Sequence, residues 1–95
     1  NMLINKSKTY DAGEIVAFKL VTGDEIVAKV VEQGGLEFTI QKPLTVVMAN
    51  KGIVLVPSIY TGQLDRDVNI SNSQIIMHTP VAKDVKDNIA SPDSK

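Results

Sequence analysis

From residue 14 onward the chain alternates. Over residues 14–21, Val16, Phe18 and Leu20 fall on one side of an extended chain, and Ile15, Ala17, Lys19 and Val21 on the other. Over 25–32, Ile26, Ala28 and Val30 alternate with Glu25, Val27, Lys29 and Val31. Over 36–42, Leu36, Phe38 and Ile40 alternate with Glu37, Thr39 and Gln41. A period of two is that of a strand with one face on a core. Thr22-Gly23-Asp24 and Gln33-Gly34-Gly35 separate these runs and predict tight turns, with Gly23 supplying a positive φ. Pro43 brings no N–H to a ladder, so the apolar run from Leu44 to Ala49 predicts the rest of one long strand that bends at Pro43. Asn50-Lys51-Gly52 predicts a third hairpin turn, residues 53–60 a fourth strand containing Pro57, and residues 61–67 a polar loop. Residues 68–70 and 75–78 flank the polar stretch Ser71-Asn72-Ser73-Gln74, and this region predicts the fifth strand.

The tail changes period. Thr79 suits a helix N-cap and Pro80 the first helical position, while Val81, Val85 and Ile89 recur every four residues. These signals predict a helix from Thr79 to about Ala90, with residues 91–95 as a frayed end. The elements together predict an all-β fold: a small, strongly bent five-stranded barrel with a short C-terminal helix. Residues 1–13 read as an N-terminal extension, 14–79 as the barrel, and 80–95 as helix and tail.

Several strands are apolar on both faces. Val27, Val31, Val47, Val54 and Val56 lie opposite the better-defined core face, and an exposed apolar surface of that kind predicts self-association; the alternative is that bends in the long strands turn both faces inward at different points.

Composition narrows the function classes. Ninety-five residues suit one domain with a modest core. With no cysteine there is no disulfide framework and no thiolate metal site. Ten Lys+Arg against eleven Asp+Glu leave a net charge of −1, without the basic footprint of a duplex-binding protein or of a membrane-surface helix. No apolar run is long enough to span a bilayer, and Met2-Leu3-Ile4 is too short for a secretory core. A cytoplasmic location is the expectation, and Asn1 ahead of Met2 suggests an expression remnant or an upstream extension.

Candidate chemistry is sparse. His78 is the only histidine, so no histidine cluster can hold a metal, and it reads as structural or as an exposed strand end. Asp24-Glu25 and Asp65-Arg66-Asp67 read as solvated turns rather than as opposed carboxylates in a cleft. Asp65 and Asp67 could also set acidic groups around a ring opening. Gly34-Gly35 is not followed by Lys and Ser/Thr, so it forms no phosphate loop. No enzyme and no cofactor are expected. The one polar cluster with a binding reading is Ser71, Asn72, Ser73 and Gln74 with Asn69, which could hydrogen-bond single-stranded RNA. The same residue types also make ordinary turns.

The stretch from Phe18 to Val30 resembles the first motif of the Sm-like family: Leu20 ends an apolar strand, Gly23 turns the chain, and Ile26, Ala28 and Val30 form the apolar–small–apolar second strand. The likeness spans roughly residues 14–79 and is nearest to Sm-like proteins encoded by bacteriophages, cyanophages in particular. It implies an Sm-like (SH3-like) barrel and a cyclic homo-oligomer of roughly five to seven subunits, the fourth strand of one pairing with the fifth of the next. The implied interface joins Ile53, Val54, Leu55 and Val56 to Ile75, Ile76, Met77 and His78 of the neighbour. The implied location is the cytoplasm, that of an infected host cell if the chain is phage-encoded. The family's RNA-contacting residues are not matched. Its Asp-x-x-(Met/Phe)-Asn loop is replaced by Gln33-Gly34-Gly35-Leu36, and its Arg-Gly or Lys-His by Ser71-Asn72-Ser73-Gln74. Three functions follow as expectations: a ring that binds single-stranded RNA weakly, a structural ring that has lost the RNA site and binds an unidentified protein, and a monomeric module that binds a peptide at a sheet edge.

Overall fold

Among the described residues the alternation from residue 14 becomes six antiparallel strands, one more than the pattern predicts. The computed structural model describes residues 9–90, with side chains as far as Lys86. Residues 1–8 of the extension, the 91–95 end and the side chain of Ile89 lie outside the described residues. The strands are β1 (Ile15–Leu20), β2 (Glu25–Gln33), β3 (Glu37–Ala49), β4 (Gly52–Pro57), β5 (Val68–Ser71) and β6 (Ile75–Pro80), followed by helix α1 (Lys83–Ala90). Among the described residues no helix is long and apolar enough to cross a membrane.

The inward positions of the first three strands make the core. Val16, Phe18, Ile26, Ala28, Val30, Phe38 and Ile40 form one buried cluster, and Leu20, Val68, Ile70 and Ile75 pack around it. Each fully buried large side chain stabilises the fold by about 1.5–3 kcal/mol. Phe18 meets Phe38 edge to face, centroids 5.0 Å apart. Leu36, inward by strict alternation, is instead 85% exposed, because β3 begins one residue later. Val27, expected on the exposed second face, is buried between its cross-strand neighbours Ala17 and Leu44.

The first turn forms as its sequence dictates. Gly23 has φ +97°, a conformation a side chain would strain, and its N–H donates to Leu20 O at 2.9 Å. The bend at Pro43 is a bulge: Ala28 of β2 faces both Lys42 and Pro43, between the pairs Val27–Leu44 and Lys29–Gln41. Lys42 takes φ 54°, the left-handed position that favours glycine in such bulges. Beyond Pro43 no residue of β3 is buried.

The region expected to hold one fifth strand holds two. Ser71 caps a short 3₁₀ turn over residues 72–74, its side chain accepting from Ser73 N–H. That turn moves the chain from one edge of the sheet to another: β5 pairs with β3, whereas β6 pairs with β1. The expected fourth strand is also shorter, since β4 ends at Pro57 and residues 58–67 form the loop. The strand order β4-β3-β2-β1-β6 leaves β4 and β6 at opposite ends, so among the described residues the ladder does not close on itself.

The helix begins later than its cap signals predict. Thr79 and Pro80 pair with Ala17 and Val16 as the end of β6, where an edge strand tolerates a residue without N–H. The first intrahelical bond runs from Lys86 N–H to Ala82 O at 2.8 Å.

Candidate functional site

The five polar residues singled out in the sequence do not converge on one pocket. Asn69 lies on β5 and accepts from Thr39 Oγ1 at 3.1 Å. Ser71 and Ser73 share a hydroxyl–hydroxyl bond of 2.9 Å, and Gln74 Nε2 donates to Ser73 Oγ at 3.4 Å. Asn72 spans two loops. Its Nδ2 donates to Gly34 O and Gly35 O, each at 3.1 Å, and its backbone N–H to Leu36 O at 2.9 Å. Asn72 Oδ1 is buried without a hydrogen-bond partner among the described residues. The 71–74 turn is therefore clamped onto the 33–36 turn. Gly34 lets the 33–36 turn itself close tightly: a Cβ there would sit 2.8 Å from Glu37 O, the acceptor of its own N–H.

Beside this junction lies an open cleft of about 440 Å³, lined by Gln33, Phe38, Asn72, Ile75, Ile76, Met77 and His78. Tyr10 stands at its side, a residue to which no sequence pattern assigned a role. Its hydroxyl meets His78 Nδ1 at 2.6 Å, its N–H donates to Gln33 Oε1 at 3.2 Å, and its ring packs on Phe38 and His78 with centroids 6.2 and 5.5 Å away. Burial, and secondarily the charge of Glu14, raise the Tyr10 phenol above its ordinary value. The only advance signal was that aromatics are few; the pairing itself spans 68 residues of chain.

The carboxylates serve local structure. Asp24 accepts from Thr22 Oγ1 at 2.9 Å, Glu25 lies 3.9 Å from Lys19, and Asp67 accepts from Gln41 Nε2 at 2.8 Å. Arg66 Nη1 donates to Gln63 Oε1 at 3.3 Å. Among the described residues no group of three or more His, Cys, Asp or Glu is placed to hold a metal ion.

The apolar residues singled out as an interface occupy the two ends of the sheet. Ile53 is 57% exposed, Val54 46%, Ile76 55% and Met77 61%. Leu55, Val56 and Ile75 are half-buried and His78 is exposed. The backbone groups on these edges follow from the phase of each ladder. Ser58 N–H donates to Pro43 O at 3.1 Å, so Thr45–Val56 and Val47–Val54 are the bonded pairs, and Ile53 and Leu55 turn N–H and C=O outward. Val81 N–H donates to Ile15 O at 3.1 Å, so Ala17–Thr79 is bonded, and His78 and Pro80 turn outward. Each edge thus carries one proline, Pro57 or Pro80, with no hydrogen to give.

Compared with known proteins, the chain matches no family model and no curated protein sequence.

Proposed function

We propose that the chain is an Sm-like subunit that assembles with copies of itself into a closed ring, and that the ring binds or scaffolds rather than catalyses. One observation carries this reading: among the described residues the sheet ends in two unpaired edges, both clad in exposed Val, Ile or Met. Such edges invite another strand, and joining β4 of one subunit to β6 of the next satisfies both in a heterologous contact that a ring repeats. We take the antiparallel register that sets Ile53 against His78, Val54 against Met77 and Leu55 against Ile76. It matches outward backbone groups at Ile53 and His78, and leaves both prolines beyond the paired residues.

The ligand we assign is single-stranded RNA, contacted weakly where the 33–36 and 71–74 turns meet. The repeated polar turns of a ring, and the cleft beside them, support that assignment. A scaffold ring without RNA is the second reading. It is favoured by the hydrogen bonds that Asn69, Ser71, Asn72 and Ser73 make within the protein.

The absence of cysteine permits a direct test of assembly. A directly opposed non-bonded pair has Cα atoms about 4.5 Å apart, within disulfide range. Val54→Cys with Met77→Cys in one chain should therefore oxidise to a covalent ladder. A protein of monomer mass in light scattering that yields no ladder sinks the ring. Fluorescence titration with oligo-U and oligo-A at low salt, where phosphate contacts are strongest, separates the two ligand readings: no binding by an intact ring leaves the scaffold.

A further inference from the structure

Helix α1 leaves β6 almost at once, and its first turn is poorly covered. Residues 82–86 are all exposed, Val85 included, although Val85 belongs to the apolar stripe with the half-buried Val81. A short helix gains most of its stability from burying such a stripe. At the far end of the sheet the tip of the β3–β4 hairpin has the complementary problem. Met48 is 75% exposed, Ile53 57% and Val47 41%. The tip carries a single charge, Lys51, between residues 44 and 57.

The ring register brings these two surfaces together. With Ile53 against His78, continuing the count puts Lys51 against Pro80 and the hairpin tip beside the chain that enters α1. The first turn of α1 contains Asp84, opposite in sign to Lys51. Eight helical residues extend about 12 Å, and a three-residue stretch of hairpin about 10 Å, so the helix suffices to cover the exposed tip.

We propose that α1 of each subunit is a clasp that lies across the β3–β4 hairpin tip of the next subunit, with Val85 against Met48 and Ile53 and Asp84 beside Lys51. The inference rests on the ring reading and adds a second contact to every seam. The clasp covers apolar surface that strand pairing alone leaves in water, and its charge pair favours one placement of the helix along the tip. Because α1 follows β6 so closely, the subunit that receives a neighbour's edge also closes over it.

The test uses the full chain with Met48→Cys and Val85→Cys. Oxidation should give covalent oligomers up to the mass of the ring. Independently, Val85→Asp and Lys51→Glu should each raise the dilution midpoint for ring dissociation about tenfold or more, while circular dichroism shows the strands intact. Lys51→Glu combined with Asp84→Lys should recover much of that loss. Intact rings that neither cross-link at these positions nor respond to Val85→Asp overturn the clasp and leave the ring standing. A wild-type protein that is monomeric at every concentration overturns both.

Discussion

Replacing Tyr10 by Phe removes one hydroxyl from the aromatic cluster and leaves the ring. The bond lost is the 2.6 Å contact with His78 Nδ1, on a partly solvated surface. Its net contribution belongs at the low end of the usual range, about 0.5 kcal/mol. Tyr10→Ala also removes the ring from Phe38 and His78. Each such pair contributes about 0.5–1.5 kcal/mol, so a total loss of roughly 2–3 kcal/mol is expected. For a domain of this size that lowers the melting temperature by roughly 10–20 °C. The sign of the pH dependence follows from the raised phenol. Its unfolded value is 10.0, and the folded protein holds the proton more tightly. The stabilisation is therefore complete below the unfolded value and is lost as pH rises through the folded one. Wild type should weaken on the alkaline side more steeply than Tyr10→Phe, which has no phenol to titrate. Urea unfolding at fixed protein concentration, at neutral pH and at several values above the unfolded one, measures both effects. A Tyr10→Ala protein that unfolds at the wild-type urea concentration would show that Tyr10 does not anchor the start of the domain. A wild-type-to-Phe difference independent of pH would refute the electrostatic part.

Six other substitutions test other links. Val54→Lys or Ile76→Lys puts a charge in the seam of the proposed ring, and light scattering should then report the 10.3 kDa monomer; an unchanged oligomer refutes the register. Lys42→Gly relieves a left-handed φ of 54° and should be neutral or stabilise by up to about 1 kcal/mol in thermal unfolding, whereas Lys42→Val should destabilise. Asn72→Ala loses two bonds to the glycine turn but also removes the partnerless Oδ1, so it should cost only about 1 kcal/mol. Asn72→Asp loses the donors and keeps a buried oxygen, so it should cost more; the reverse order in a denaturation series refutes the clamp.

The core was legible because alternation is a local property. Val16, Phe18, Ile26, Ala28, Val30, Phe38 and Ile40 are buried where the period of two put them, and Gly23 and Pro43 mark the turn and the bend. The departures come from pairings distant in sequence. Thr79 and Pro80 carry genuine helix-start signals, but pairing with Ala17 and Val16 overrides them. The stretch from Val68 to His78 looks like one interrupted strand, and only the turn capped by Ser71 reveals that its halves join different edges. The polar residues from Ser71 to Gln74 are where they were expected in the chain. What their order could not convey is that Asn72 reaches back to Gly34 and Gly35, or that Tyr10 lies against His78.

β3 is the longest strand, and it holds β4 along its second half and β5 along its first. Each partner has its own ladder, so the covalent link through residues 58–67 is not what positions either one. The cost of lengthening such a closed segment grows only logarithmically, about 0.6 kcal/mol per doubling. The chain can accordingly accept a graft, a label or a relocated terminus near Gly62 while both strands keep their registers. If the protein diversifies, this is where new sequence would enter first.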